Sequence, residues 1–175
     1  MGKIIFILGG ARSGKSTYAI ELAKRLDKKV AFIATCMPLD GEMKKRIQLH
    51  KKKRPPHWQT FEETKDIASL TKKLDSRFNV VIIDCLTLFI SNLLSEGLSD
   101  RAIEVRINKM LKALLFARHT SIIISNEVGL GIVPNNPLAR RFRDLAGKIN
   151  QMIAQKADEV FFMISGMPLK MKGEK

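Results

Sequence analysis

The sequence predicts an α/β fold, a doubly wound and mostly parallel sheet with helices on both of its faces. Short runs of β-branched, aromatic and aliphatic residues alternate along the chain with longer segments of helical periodicity, the pattern of a parallel sheet with crossover helices. The first apolar run ends in a glycine-rich loop that opens directly into a helical segment. With 175 residues, the chain has the length of one domain with a well-buried core.

The first elements predict a strand–helix–strand unit. Residues 3–8 form an apolar run that stops at a Gly-Gly pair. Residues 16–26 place apolar side chains at helical spacing, and residues 30–35 form a second apolar run. A helix that joins two buried strands in this way makes the strands parallel neighbours or near neighbours in one sheet.

A polar and basic stretch then interrupts the alternation. Residues 40–54 predict a strongly basic helix, which the proline pair at 55–56 ends. No linker or internal repeat separates this stretch from the rest of the chain. We therefore predict a single nucleotide-binding domain spanning residues 1–175, with a basic catalytic excursion at about 36–63.

The second half of the chain continues the alternation and ends in an edge hairpin. Asn136 followed by Pro137 gives the last helix a capping residue and a first-turn proline. The final apolar run is followed by a short segment that we expect to fold back as an edge strand. The predicted helices are 64–74, 101–117 and the segment from 136 onward, and the predicted strands are 78–87, 120–125, 159–164 and 166–172.

The composition is compatible with several functions and does not identify one of them. The formal charge of +14 fits nucleic-acid binding, an anionic ligand or a lysine-rich solvated surface. No apolar run is long enough to span a bilayer, so we expect a cytoplasmic protein without a membrane span. Cys36 and Cys85 show no metal-ligand spacing, and two reduced, buried thiols are the expected state.

The segment GGARSGKS matches the phosphate-loop pattern G-x-x-x-x-G-K-[ST]. Its glycines let the loop curl until successive backbone N–H groups point at phosphate oxygens, and the helix that follows adds its partial positive charge. Lys15 would reach the β- and γ-phosphates, and the Ser16 hydroxyl would ligate Mg²⁺. The predicted nucleotide-binding residues of this loop are Gly9, Gly10, Ala11, Arg12, Ser13, Gly14, Lys15 and Ser16.

Two acids follow predicted strands. Asp84 ends the run VVIID, and we expect it at the carboxyl end of a strand that neighbours the phosphate-loop strand, where it would hold Mg²⁺ through water. Glu127 follows the run SIIIS. It could orient a substrate hydroxyl or cap its own loop, and the residues leave both roles open.

His50 stands inside the basic stretch KKRIQLHKKKR. A neutral imidazole is a good nucleophile toward phosphorus, and surrounding cations disfavour its protonated form. The cations at 51–54 could neutralise charge on an attacked α-phosphate and on departing pyrophosphate, and Arg54 could grip a phosphate with two hydrogen bonds. A solvated surface histidine is the alternative that the residues leave open.

Several motifs together resemble one enzyme family. They are GGARSGKS, IAT, RIQLHKKKRPPHWQTFEE, NEVGLGIVP and LARRFRDLAGKINQMIAQKADEVFFMISG, and they run from the first predicted strand to the last. In them the chain resembles the bifunctional adenosylcobinamide kinase/adenosylcobinamide-phosphate guanylyltransferase family of cobalamin assembly. The patterns H-x-x-x-R-P-x-x-W and NEVG-x-G-I-V-P carry the resemblance, because they are far more specific than a phosphate loop.

The resemblance implies two reactions on one chain. A nucleoside triphosphate, ATP or GTP, would phosphorylate the hydroxyl of the aminopropanol arm of adenosylcobinamide in the presence of Mg²⁺. GTP would then guanylylate a histidine with release of pyrophosphate, and adenosylcobinamide phosphate would take the GMP to give adenosylcobinamide-GDP. The resemblance further implies a P-loop NTPase fold of the RecA-like type and a homotrimer.

Matched motif to motif, His50 takes the place of the family's guanylylated histidine, and Lys15 takes that of its phosphate-loop lysine. The three lysines after His50 are more basic than the family pattern leads us to expect. The position of Asp84 carries glutamate in some relatives. Beyond the phosphate loop, the nucleotide-binding residues that the resemblance implies are Ala34, Thr35, Cys36, Lys51, Lys52, Lys53, Arg54, Glu62 and Asp84.

Two other functions remain compatible with the residues. A small-molecule kinase with a purely structural His50 would transfer a γ-phosphate without any covalent nucleotide. An NTP-gated nucleic-acid binder would use the basic stretch, but Trp58, Tyr18 and scattered phenylalanines lack the interleaved stacking pattern of such proteins. We therefore expect small-molecule substrates and no nucleic-acid partner.

Overall fold

The computed structural model describes residues 2–37, 41–52, 54–74 and 77–173. Its sheet strands are β1 (Ile4–Gly9), β2 (Val30–Ala34), β3 (Gln59–Glu62), β4 (Val80–Asp84), β5 (Thr120–Ile124), β6 (Glu159–Ile164) and β7 (Met167–Lys172). Its helices are α1 (Lys15–Leu26), α2 (Gly41–Lys52), α3 (Ile67–Leu74), α4 (Leu86–Ser95), α5 (Asp100–Phe116) and α6 (Pro137–Lys156).

Within the described residues, the strands form one sheet of seven in the order β3-β2-β4-β5-β1-β6-β7. The pairings from β3 through to β6 are all parallel, and β7 pairs antiparallel with β6. The prediction of a doubly wound, mostly parallel sheet with an edge hairpin at its C-terminal end is therefore confirmed. The hairpin forms because Ser165 and Gly166 take positive φ angles of 51° and 85°, which reverse the chain between β6 and β7.

The two faces of the sheet bury separate clusters of apolar side chains. One cluster lies under α3, α4, α5 and α6, and the other lies under α1 together with the indole of Trp58. Every residue of β2 is buried. Strands that are buried on both faces lose the polar alternation of an exposed sheet, which explains why they appear in the sequence as continuous apolar runs.

Two elements were not predicted, and several are shorter than predicted. The strand predicted over 78–87 is only Val80–Asp84, because α4 already begins at Leu86, and the helix predicted over 64–74 begins at Ile67. α4 buries six of its ten residues, so it lacks the polar stripe that marks an amphipathic helix. β3 is a short edge strand whose residues are mostly exposed, so it shows no apolar alternation. The described part of the basic helix α2 is Gly41–Lys52, and Arg54, which was predicted to belong to it, lies outside the helix. None of the helices in the described part of the chain is both long and apolar enough to cross a membrane.

The strand order corrects one expectation. Asp84 ends β4, but β5 lies between β4 and the phosphate-loop strand β1, so the prediction that these two strands are neighbours is wrong. Strand order follows from long-range crossovers, which a local sequence pattern does not encode. Because β1, β2, β4 and β5 run parallel, the loops that follow them still meet at one carboxyl edge of the sheet, where ligands bind in folds of this kind.

Helix α6 begins at a well-formed cap. The side chain of Asn136 accepts hydrogen bonds from the N–H groups of Leu138 at 2.8 Å and Ala139 at 3.2 Å, and Pro137 occupies the first turn. These bonds pair two of the N–H groups that the first turn of any helix leaves without intrahelical partners. The cap thereby fixes the point at which the loop after β5 turns into α6.

Replacing Asn136 by alanine should lower the free energy of unfolding by about 1 kcal/mol, because it removes this cap. The measurement is urea denaturation followed by circular dichroism. Asn135→Ala is the matched control, since its side chain is exposed and lies one residue before the cap, and it should change the stability by less than about 0.5 kcal/mol. Equal effects of the two substitutions would contradict the capping role.

Candidate active site

The loop between β1 and α1 has the conformation that a phosphate loop requires. Gly14 precedes the helix with a φ of 96°, and a Cβ there would lie 3.1 Å from the Cα of Gly166. At Gly9, a Cβ would lie 2.6 Å from the carbonyl oxygen of Met163. Both positions therefore exclude any larger side chain. The hairpin turn also braces the loop, because the N–H of Gly166 donates to the carbonyl of Ser13 at 2.9 Å.

Lys15 lies across this loop. Its Nζ donates to the carbonyl oxygen of Gly10 at 2.6 Å, and the side chain is largely buried. Burial lowers the pKa of the Lys15 ammonium below its ordinary value, although nearby Cys85 and Asp84 act in the opposite direction. The ammonium thus sits beside the N-terminus of α1, where its charge adds to the partial positive charge of the helix.

Ser16 connects the phosphate loop to Asp84. The Ser16 hydroxyl donates to Oδ2 of Asp84 at 2.9 Å, so α1 reaches over β5 to the end of β4. Burial raises the pKa of Asp84, while the hydrogen bond from Ser16 and the electrostatic effects of His50, Arg54 and Lys15 oppose that rise. A hydroxyl and a carboxylate are therefore held together near cations of two different segments, Lys15 of α1 and Arg54.

His50 lies near the C-terminal end of α2, and its ring is exposed. The end of α2 that carries it lies at the carboxyl edge of the sheet, because the next residue, Lys51, contacts Glu62 at the end of β3. The neighbouring Lys51 forms an ion pair with Glu62, with 2.7 Å between Nζ and Oε1. Lys52 is exposed as well, and the predicted contact Lys53 lies outside the described residues. The structure thus brings His50 and its described cations to the side of the sheet where the sequence predicts nucleotide.

Arg54 closes the basic stretch against the sheet. Its guanidinium carbon lies 3.5 Å from the centroid of the Phe32 ring, and its Nη1 donates to the hydroxyl of Thr60 at 3.1 Å. Burial lowers the pKa of Arg54, with Asp84 and Glu62 acting against the shift. Its Nε is buried and has no hydrogen-bond acceptor among the described residues. The guanidinium is therefore held flat against the Phe32 ring.

Thr35 holds the turn that follows Asp84. Its hydroxyl donates to the carbonyl of Cys85 at 2.7 Å and accepts from the N–H of the same residue at 2.8 Å. Its own N–H donates to the carbonyl of Asp84 at 3.1 Å. Thr35 is fully buried, Ala34 is buried and Cys36 is half-buried. The hydroxyl of Thr35 is thus used inside the protein, and nucleotide contact by residues 34–36 stays a prediction.

Three polar residues behind this turn were not predicted: the buried Asn92 and Thr87 and the half-buried Asn126. Asn92 donates to the carbonyl of Thr35 at 2.8 Å, and Asn126 donates to the hydroxyl of Thr87 at 3.0 Å. That hydroxyl lies 3.1 Å from Sγ of Cys85. An amide inside the apolar run LFISNLL was the sequence signal for Asn92, because a buried amide needs hydrogen-bond partners. These residues hold the Asp84–Cys85 turn rigidly in place.

Glu127 caps its own loop. Its Oε1 accepts from the N–H of Gly129 at 2.8 Å, and its backbone N–H donates to the carbonyl of Gly9 at 3.0 Å. Of the two roles that the sequence leaves open, the structure contains the capping contact. The loop between β5 and α6 therefore starts in direct contact with the strand that carries the phosphate loop.

Comparison with known proteins agrees with this geometry. A family model described as cobinamide kinase / cobinamide phosphate guanyltransferase matches residues 5–171. The chain is 41% identical over 168 residues to the bifunctional adenosylcobalamin biosynthesis protein CobP of Pseudomonas aeruginosa, with 96% of each chain covered. It is 38% identical over 181 residues to the bifunctional adenosylcobalamin biosynthesis protein CobU of Escherichia coli, with 97% of this chain and 99% of that protein covered.

Solved structures share the fold at low sequence identity. The RadB recombinase superposes with a TM-score of 0.56 at 21% identity, covering 92% of this chain and 74% of that chain. A KaiC-like protein of Pyrococcus horikoshii superposes with a TM-score of 0.53 at 15% identity, covering 92% and 70%. The P-loop NTPase fold of the RecA-like type is thereby confirmed.

The brace formed by Thr35 predicts a stability difference between two substitutions. Thr35→Val leaves the N–H of Cys85 buried without a partner and leaves its carbonyl only the hydrogen bond from the N–H of Phe89 at 3.2 Å, so the free energy of unfolding should fall by about 1–3 kcal/mol. Thr35→Ser keeps the hydroxyl and should cost less. Urea denaturation measures both values, and a valine variant that is as stable as the serine variant would contradict the brace.

The two thiols should differ in reactivity. Burial, reinforced by the charge of Asp84, raises the pKa of Cys85 to about 11, so its nucleophilic thiolate is scarce near neutral pH. At pH 8, iodoacetamide should label the half-buried Cys36 of the native protein and leave Cys85 unmodified until the chain unfolds. Peptide mass spectrometry over a time course measures both rates. Labelling of native Cys85 as fast as Cys36 would show that the turn after Asp84 opens to solvent.

Proposed function

The chain belongs to the cobinamide kinase/cobinamide phosphate guanyltransferase family, and from this premise we propose that it phosphorylates adenosylcobinamide and then converts the product to adenosylcobinamide-GDP. The related proteins are named as bifunctional enzymes of adenosylcobalamin biosynthesis. The observation that carries the proposal is that the phosphate loop and the His50 end of α2 lie at one edge of the sheet, the first through the bond from Ser16 to Asp84 and the second through the pair of Lys51 with Glu62. A transferase that acts at both the γ- and the α-phosphate of a nucleotide needs a phosphate-binding loop and a nucleophile in reach of that nucleotide.

The first proposed step is phosphoryl transfer from ATP or GTP. The hydroxyl oxygen of the aminopropanol arm attacks the γ-phosphorus, the bond from that phosphorus to the β–γ bridging oxygen breaks, and a nucleoside diphosphate leaves while the hydroxyl proton is released. The loop N–H groups and Lys15 hold the phosphates and stabilise the charge that develops on their oxygens. Binding at the loop displaces Lys15 from Gly10 and gives its ammonium a phosphate partner.

The hydroxyl of Ser16 and the carboxylate of Asp84 fit the needs of Mg²⁺. This ion prefers hard oxygen ligands and is held by one or two protein groups together with phosphates and water. When bound, Mg²⁺ neutralises charge on the phosphate oxygens. The 2.9 Å contact between the two side chains keeps both oxygens at the N-terminus of α1, beside the position of the phosphates.

The second proposed step is nucleotidyl transfer through His50. A ring nitrogen attacks the α-phosphorus of GTP, the bond to the α–β bridging oxygen breaks, pyrophosphate leaves, and the ring loses its proton. A phosphate oxygen of adenosylcobinamide phosphate then attacks the same phosphorus, which breaks the N–P bond and restores His50. Lys51, Lys52, Lys53 and Arg54 supply the positive charge that both the attacked phosphate and the leaving pyrophosphate require.

The proposal assigns residues 1–175 to one domain, in which the excursion at about 36–63 carries the nucleotidylated helix. The contacts implied for Ala34, Thr35, Cys36 and Glu62 belong to the same nucleotide site. Family membership supports small-molecule substrates, and the proposed assembly is a cytoplasmic homotrimer.

The covalent step predicts a labelled protein. Incubation with GTP labelled at the α-phosphate and Mg²⁺, followed by denaturation, should give an acid-labile and alkali-stable label. The label should be absent from His50→Ala and retained in His57→Ala, which removes another exposed histidine close by in the chain. If the wild type transfers γ-phosphate to cobinamide but takes no label, the protein is a kinase without the second activity.

The kinase step depends on Lys15. Lys15→Ala should lower kcat/KM for γ-phosphate transfer to cobinamide by at least about 100-fold, because it removes the charge that stabilises the transferred phosphate. Lys24→Ala is the matched control, since this exposed lysine of the same helix pairs with Glu21 at 3.0 Å and should leave the rate unchanged. Comparable losses in both variants would place the kinase site elsewhere.

A further inference from the structure

We propose that the corrinoid acceptor docks in the groove between the β5–α6 loop and helix α6. This inference rests on the proposed function, which assigns residues to the nucleotide but none to the corrinoid. The groove has a volume of about 510 Å³, and we call it the acceptor groove. Its walls include Gly131, Val133, Arg143, Gly147, Lys148 and Gln151.

The β5–α6 loop, which forms one wall of the acceptor groove, starts beside the phosphate loop. Strand β1 has two neighbours, β5 and β6, so the phosphate loop has two flanks. On the β6 flank, the hairpin turn packs against the loop, with Gly166 bonded to Ser13 at 2.9 Å. On the β5 flank, Glu127 ties the β5–α6 loop to Gly9 at 3.0 Å and then caps its own turn. An acceptor that must reach a γ-phosphate therefore has its approach along the β5 flank.

The loop exposes large aliphatic side chains at this flank. Leu130, Ile132 and Val133 are 79%, 93% and 64% exposed, and Leu138 in the first turn of α6 is 60% exposed. Apolar side chains this exposed and this close together are typical of a binding surface. They offer a surface on which the flat face of a macrocycle can lie.

The opposite wall of the acceptor groove is polar but its charges are compensated. Arg143 pairs with Asp144 at 3.0 Å, and Lys148 pairs with Glu104 at 2.6 Å. Gln151 adds an amide that both donates and accepts. On a chain with a formal charge of +14, a groove with paired charges suits a ligand rich in hydrogen-bonding groups better than a polyanion. A corrin ring, apolar on its faces and rimmed with amide side chains, has this chemistry.

Gly147 supports the assignment independently. It lies in the interior of α6, where glycine destabilises a helix relative to alanine. A Cβ at Gly147 would meet no atom within 4 Å, and the same holds for Gly131 across the groove. Packing therefore does not require glycine at either position. Their lack of side chains keeps the acceptor groove open.

The test measures binding of cobinamide directly, by equilibrium dialysis with a non-hydrolysable ATP analogue and Mg²⁺. Val133→Ser and Gly147→Leu should each weaken binding at least about tenfold, since one removes an aliphatic side chain of the groove wall and the other fills the groove. Phe116→Ser is the matched control, because Phe116 is 80% exposed at the opposite edge of the sheet, and it should bind like the wild type. Covalent labelling from GTP should be equal in all four proteins.

A third variant separates docking from stability. Gly147→Ala should raise the melting temperature, because alanine favours the helix, and should still weaken cobinamide binding severalfold. A purely structural role of Gly147 would not combine these two effects.

The outcomes are distinct. Unchanged cobinamide binding in both groove variants, with normal wild-type turnover, overturns the docking site and leaves the proposed function standing. A wild type that neither binds nor turns over cobinamide contradicts the proposed function and the inference with it. If the groove variants keep their affinity but change the molar mass measured by light scattering, the face is a contact between copies of this chain, and the inference is wrong.

Discussion

The hydrogen bond between Ser16 and Asp84 is the contact on which the candidate site depends. It joins the start of α1 to the end of β4 across the intervening strand β5. It forms only if the phosphate loop turns tightly into α1, which requires glycine at positions 9 and 14. It also requires the turn after Asp84 to be fixed, which Thr35 does through both backbone groups of Cys85. Sheet, loop and turn thus meet in one contact.

This arrangement buries several charged groups close to one another. Burial makes the ionised form of Asp84 costly, and the cations of Lys15 and Arg54 together with His50 offset that cost. The same cations lose solvation themselves, which lowers the pKa of Lys15 and of Arg54. A bound polyphosphate would place negative charge beside Lys15 and Arg54, and its metal ion would place positive charge beside Asp84. Ligand binding would thereby relieve the electrostatic cost that folding creates.

The sequence predicted the local parts of this site and missed the distant ones. The phosphate loop was predictable because strand, glycine turn and helix are contiguous in the chain. The position of β5 between β1 and β4 was not predictable, because it arises from crossovers among separate segments. α4 stayed hidden because it is apolar on nearly every side. The role of Thr35 depends on a partner 50 residues away, which no spacing rule reveals.

The central claim is that the phosphate loop and His50 address one nucleotide around Asp84. A crystal structure with Mg²⁺ and a GTP analogue that resists cleavage at its α–β linkage tests it most directly. The prediction is that a ring nitrogen of His50 lies within about 3.5 Å of the α-phosphorus, the separation of reacting atoms poised for attack. A nucleotide seated on the phosphate loop, with the His50 ring in solvent and away from every phosphate, would contradict it.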